Sequence, residues 1–272
     1  MNQKKMPLEL VVVISSSYFD QALLWLEILS LSNPGITVHL VLLGDQNPIP
    51  DGLRDVPKNL DLKVQVCPRQ ESQPFWSRRL EIWCDLVQQR PHALLLFSDC
   101  DNYIVGDLDF LHDLFSRKDT VAVFQPAVGR MPEAAITAWG FCLCCGLVVL
   151  HAERVMRTTL LQDWREAVKA TADDQIAINQ LLLSSQLVSR RRWFPLRCKL
   201  LSNYGDVGVF DYRISSRGAL VSCPMGPETV FWHVGLKHAL HRMVNPYRQL
   251  RRFLRKSVKD RSAGMSFFLE RH

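Results

Sequence analysis

The 272-residue sequence predicts an α/β fold, a mixed and mostly parallel central sheet flanked by helices, and three observations carry that reading. Apolar, β-branched runs alternate with segments of helical period through the first half. Residues 93–97 form a continuous apolar run of the kind found in strands buried on both faces. No internal repeat and no linker-like stretch divides the chain, so one domain is expected, with a more irregular second half adding substrate-binding pieces.

In order along the chain, residues 8–14 read as the first strand, ending in Ser15-Ser16-Ser17. Asp20 then opens a helical pattern through Leu23, Leu24, Ile28 and Leu31, which Asn33-Pro34-Gly35 breaks. Residues 37–43 are a second apolar run, and Leu62, Val64 and Val66 alternate as a third. Trp76, Leu80, Trp83, Leu86 and Val87 give residues 75–89 a helical face that Arg90-Pro91 terminates before the buried strand at 93–97. Residues 120–124, 141–150 and 230–232 are further strands, and residues 173–183 a helix with acids in its first turn. In sheets of this kind ligands bind beyond the carboxyl ends of the strands.

Composition narrows the class. With 47% hydrophobic and 22% charged residues the chain resembles neither a disordered nor a fibrous protein. Its longest apolar stretch, 141–150, is half the ~20 residues a membrane span needs, and its start lacks the pattern of a signal peptide. Several of the eight cysteines sit inside apolar runs, where a reduced thiol behaves as a small hydrophobe, which leads to a cytoplasmic expectation. Cys142, Cys144 and Cys145 lack the paired spacing of a zinc site.

The segment LLLFSDCDN puts Asp99 and Asp101 at the end of a buried strand, where carboxylates are costly without a counter-charge. A hard divalent ion such as manganese or magnesium removes that cost and bridges to phosphate oxygens. The competing reading is turn chemistry that ends a strand and needs no metal.

Four stretches together resemble the GT-A-fold nucleotide-diphospho-sugar transferases, a glycosyltransferase family. They are LLLFSDCDNYIVGDLDFL, FCLCCGLVVLHA, ADDQIAINQLL and FWHVGLK, in the family's order and covering most of residues 8–237. The resemblance implies a GT-A-like nucleotide-sugar-binding domain over 1–237 and a basic helical tail over 238–272. It implies metal-dependent transfer of a hexose from a nucleoside-diphosphate sugar, with UDP as the nucleotide, to a hydroxyl of a glycan, lipid-linked or other acceptor. Asp99, Asp101 and His233 take the metal-ligand positions, with Asp99 also reaching the ribose. Ser15, Ser16, Ser17, Arg78, Arg79, Gly146 and Lys237 take donor-binding positions. Asp173, Asp174 and Gln175 fall where acceptor or donor-sugar recognition is expected, with Asp174 as general base if the reaction inverts.

The sequence departs from the family at two places. Lys237 is followed by His238-Ala239 where relatives continue K-P-W, and Cys144-Cys145 precede Gly146 where relatives carry Asn with Thr or Ser. Plainer readings stand beside the functional ones: a solvated helix face for Arg78 and Arg79, and helix capping for Asp173 and Asp174. The rival for the whole chain is a catalytically silent nucleotide-binding or scaffold protein of the same fold. A haloacid-dehalogenase-type phosphatase fits poorly, because the acid pair lies on a later strand and is followed by Asn102-Tyr103.

The net charge of +6 is concentrated near the end, where Arg242, Arg248, Arg251, Arg252, Arg255, Lys256 and Lys259 meet one acid, Asp260. Leu250, Phe253, Leu254 and Val258 form an apolar stripe in the same stretch. Such a helix either attaches peripherally to an anionic membrane or packs its stripe on the core, and nucleic acid is the weakest of its candidate partners.

Overall fold

The computed structural model describes residues 5–44, 52–53, 56–68, 73–116, 119–127, 132–189, 196–217, 229–233 and 246–269. The chain begins with β1 (Leu8–Ser15), a short 3-10 turn at Ser16–Tyr18, α1 (Phe19–Ser32), β2 (Thr37–Leu43) and β3 (Asp61–Cys67). Next come α2 (Phe75–Gln89), β4 (Leu94–Ser98), β5 (Asn102–Ile104), α3 (Phe110–Ser116), β6 (Thr120–Ala127), α4 (Glu133–Trp139) and β7 (Cys142–His151). The second half adds α5 (Ala152–Met156), α6 (Leu160–Thr171), α7 (Asp174–Ser185), β8 (Gln186–Ser189), β9 (Leu196–Ser202) and β10 (Gly205–Phe210). It ends with β11 (Ser215–Arg217), β12 (Phe231–His233) and α8 (Pro246–Leu269).

Nine strands form one sheet in the order β3-β2-β1-β4-β7-β6-β10-β9-β8. The pairings make only β7 and β9 run against the rest, so the sheet is mixed and mostly parallel, as the sequence predicts. Side chains alternate across it, which explains why its inner strands read as unbroken apolar runs. Val11, Val13, Leu95 and Phe97 face a core shared with α2, α6 and α7. Leu10, Val12, Ile14, Leu94 and Leu96 face the opposite core, shared with α1 and α8.

Two features of the topology position the site. From β1 the chain moves outward through β2 and β3, then returns to lay β4 on the other side of β1, a reversal that opens a crevice at the carboxyl ends of β1 and β4. A second, three-stranded sheet, β11-β12-β5, carries the residues just after β4.

The second half is more regular than its sequence suggests. β9 and β10 form an antiparallel hairpin closed at Ser202↔Gly205, where Gly205 takes φ of +107°. The apolar stripe near the end of the chain packs inward: Leu250, Leu254 and Val258 of α8 are buried. Arg251 and Arg255 pair with Glu27 of α1. No helix among the described residues is long and apolar enough to cross a membrane.

Candidate active site

At the β1/β4 switch point lies a cavity of about 540 Å3, a size suited to a small molecule. Ser15 and Ser17 follow β1 into its wall, Arg78 and Trp76 come from the start of α2, and Asp99 and Asp101 follow β4. Ser15 and Ser17 bond each other through their hydroxyls at 2.9 Å, while Ser16, exposed in the same turn, is not part of the lining. Tyr18 and Trp76 also line the cavity, 43% and 38% exposed, as flat apolar surfaces at a polar site.

The turn carrying the acid pair is pinned from beneath. The Asp99 amide donates to the Gly146 carbonyl at 2.8 Å, and Asn102 Nδ2 donates to the same oxygen at 2.7 Å. Trp25 Nε1 donates to the Asn102 carbonyl at 2.7 Å. A Cβ at position 146 would stand 3.0 Å from Asn102 Nδ2 and 3.1 Å from Asp99 Oδ2, so glycine lets β7 support the acidic turn this closely. Gly146 thus acts through its carbonyl and its missing side chain.

His233 reaches the site through strand pairing. β12 lies antiparallel to β5 with His233 opposite Asn102, which brings His233 Nε2 to 3.2 Å from Asp101 Oδ2. Asp101 Oδ1 is buried without a hydrogen-bond partner. Burial pushes the Asp99 carboxyl up to about 6; Arg79 opposes the shift, and the charges of Asp101 and Asp174 reinforce it. Two crowded carboxylates, one with an orphaned oxygen, beside an imidazole suit a hard divalent cation with mixed oxygen and nitrogen ligands. Among the described residues the three are not drawn into a closed ligand set, so binding would require small side-chain movements.

Arg79 is the electrostatic centre beneath the cavity. Its side chain is 3% exposed and donates from Nη1 to Asp99 Oδ1 at 2.6 Å, from Nε to Asp174 Oδ2 at 3.1 Å, and from Nη2 to the same Asp174 oxygen. The guanidinium lies 4.6 Å from the Trp76 ring centre and 5.0 Å from that of Trp83. Burial works against its charge, but Asp174 and Asp99 outweigh burial and hold the group above its ordinary pKa. A solvated helix face therefore does not describe Arg79. Arg78 turns to the cavity wall, where Glu81 Oε2 accepts from its Nη1 at 2.9 Å and Glu81 Oε1 accepts from Gln73 Nε2 at 2.7 Å. That leaves Arg78 Nε and Gln73 Oε1 as a buried donor and acceptor without partners.

The acids before α7 divide their work. Asp173 caps the helix, its Oδ1 accepting from the Ile176 amide at 2.8 Å. Asp174 is turned inward, its side chain 5% exposed and held by Arg79. Gln175 Nε2 approaches Cys142 Sγ at 3.7 Å, and Asn179 bonds both the amide and the carbonyl of Leu143. Trp164 Nε1 donates to the Asp174 carbonyl at 2.9 Å. The seven described cysteines are free thiols. Lys237 lies outside the described residues. Sequence reasoning did not single out Tyr18, Gln21, Gln73 or Trp76 as cavity residues. The available signal was a tryptophan beside a basic pair at a helix start.

No family model matches the chain, and no curated protein matches it in sequence. Solved structures do. GlyE, a glycosyltransferase of Streptococcus pneumoniae TIGR4, superposes with a TM-score of 0.55 at 12% identity, over 93% of this chain and 64% of GlyE, so the chain spans a little under two thirds of that protein. The galactosyltransferase LgtC, whose structure holds donor and acceptor sugar analogues, gives 0.54 at 13% identity over 93% of this chain and 96% of LgtC. The bifunctional glycosyltransferase WbbM gives 0.51 at 12% identity over 94% of this chain and 46% of WbbM. At such identities the likeness is one of fold, and the chain has the fold of these glycosyltransferases.

Proposed function

We propose that the protein is a glycosyltransferase that moves a hexose from a nucleoside-diphosphate sugar to an acceptor hydroxyl, with manganese or magnesium at the acidic turn. One observation carries the reading: Asp99 and Asp101 line a cavity of about 540 Å3 at the switch point of the sheet, and His233, 132 positions after Asp101, reaches that carboxylate at 3.2 Å. The structural likeness to LgtC, solved with donor and acceptor analogues, supports a sugar donor as the ligand.

In the transfer the bond from the anomeric carbon to the diphosphate oxygen breaks, and the acceptor oxygen bonds to that carbon as its proton passes to the departing diphosphate or, if the reaction inverts, to a general base. The leaving diphosphate gains negative charge. A divalent ion on Asp101, Asp99 and His233 would supply neutralising charge there. The protein's own groups do the rest. Arg78 lines the cavity, and its guanidinium would bind an anionic oxygen of the donor. Tyr18 and Trp76 offer faces to the base, and Ser15 and Ser17 offer hydroxyls. Arg79 fixes Asp99 from below while leaving Asp99 Oδ2 uncommitted to it. If the reaction inverts, a general base must reach the acceptor hydroxyl, and the Asp174 carboxylate is buried and clasped by Arg79; we assign Asp174 the positioning of Arg79 instead. Asp173 serves as a helix cap.

The Arg79–Asp99 pair also favours a second reading, metal-free nucleotide binding without turnover, because an internal cation already opposes one of the acids. Calorimetric titration with UDP- and GDP-sugars, with and without manganese, separates the two. Manganese-dependent affinity that disappears in Asp101→Asn and weakens in His233→Ala, with released nucleoside diphosphate in the wild type, is the expected result. Equal affinity with and without the ion, and no turnover, would support the silent binder.

A further inference from the structure

The outer face of α8 carries the strongest charge feature of the molecule. Pro246–Leu269 contains seven Arg and Lys against one Asp, an excess that equals the +6 of the whole chain, so the remainder is balanced. Leu250, Leu254 and Val258 occupy the core side. Arg248, Arg251, Arg252, Arg255, Lys256 and Lys259 are exposed. Their spacing makes like-charge neighbours at i, i+4 along two ridges, 248–252–256 and 251–255–259, and such pairs weaken a helix that has no anionic partner. Among the described residues, Glu27 pairs with Arg251 and Arg255 of one ridge, and Asp260 follows Lys256 of the other by one turn.

We propose that this face docks on an anionic lipid surface. Charge complementarity selects an anionic partner and excludes a second copy of the same face. One further feature favours a bilayer over a nucleic acid: among the described residues of the helix, no exposed aromatic group stands between the basic side chains to stack on bases. The apolar stripe is already committed to the core, so the face attaches by charge and does not insert as a span. Attachment here also bears on the candidate site: Phe253 packs on Trp232 with ring centres 6.2 Å apart, and Trp232 immediately precedes His233. The inference stands independently of the transfer chemistry, because docking is read without turnover.

The test is co-sedimentation of the full chain with vesicles of pure phosphatidylcholine or of phosphatidylcholine with about one third phosphatidylglycerol, at low and high salt. Binding is expected only to the anionic vesicles and only at low salt. Replacing Arg248, Arg252 and Lys256 by glutamine leaves the Glu27 contacts in place and keeps good helix formers, so the variant is expected to melt like the wild type. Its partition onto anionic vesicles should fall on the order of a hundredfold. Absence of wild-type binding at low salt, equal binding to neutral vesicles, undiminished binding of the triple variant, or tighter binding to a short DNA duplex at matched phosphate concentration would each overturn the proposal.

Discussion

Replacing Arg79 by methionine keeps much of the side chain's length and removes the cation that bridges Asp99 and Asp174. Three donated hydrogen bonds disappear, and the Asp174 carboxylate, 5% exposed, is left charged against apolar neighbours. Counting charge-assisted bonds at ~1.5–3 kcal/mol each would overstate the loss, because the three share one desolvated group. Breaking a buried ion pair by removing one partner costs ~3–5 kcal/mol, and that is the better guide. For a chain of this size the drop in melting midpoint is then on the order of 10 °C. The diagnostic arm is the double variant Arg79→Met with Asp174→Asn, which deletes the orphaned charge as well and should recover about half of the loss. Thermal and urea unfolding of the wild type, both single variants and the double variant close the cycle. An Arg79→Met protein that melts within about 2 °C of the wild type, or a double variant no more stable than that single variant, would refute the reasoning.

Other consequences follow from the same contacts. Gly146→Ala forces Asn102 or Asp99 to yield by a few tenths of an ångström, so it should cost ~1–2 kcal/mol of stability and weaken nucleotide-sugar affinity, both measurable on one preparation. Leu254→Ala opens a cavity under α8 and should cost ~3 kcal/mol, read by urea unfolding, while an exposed substitution on the same helix costs little. Burial, reinforced by Arg154, depresses His151 to about 4 from an ordinary 6.5. The unfolded chain therefore binds the proton first, and stability should decline as pH falls from about 6.5 towards 4, by ~3 kcal/mol in all. In His151→Gln that part of the pH dependence should be missing from the unfolding free energies.

Much of the fold was legible because burial on both faces leaves a direct trace in composition. β1, β2, β4 and β7 carry apolar runs, interrupted in β1 and β2 by the buried Glu9 and His39, since each contributes to both cores; α2 carries the helical period of one buried stripe, whereas α1 is buried over most of its surface. The β9–β10 hairpin was less visible, although Leu196, Cys198 and Leu200 alternate inward before the turn at Gly205, because charged residues occupy the outer positions and dilute the pattern. The short α4 and α5, at seven and five residues, offer too few turns for a period to show.

By itself the sequence determined that two carboxylates end a buried strand, that a basic pair precedes that strand, and that the surplus positive charge lies at the end of the chain. Which of these groups meet was decided only by tertiary structure. Asp101 and His233 are 132 positions apart and come within reach because β12 pairs with β5, a contact that local residue order does not encode. Arg78 and Arg79 are adjacent in sequence, yet a helix turns ~100° per residue, so one lines the cavity and the other lies buried between two acids. Asp173 and Asp174 differ for the same reason: one side chain falls back to cap α7, while its neighbour turns inward to Arg79. Side-chain type sets what a group is able to do, and the direction in which the packed backbone points it sets what it meets.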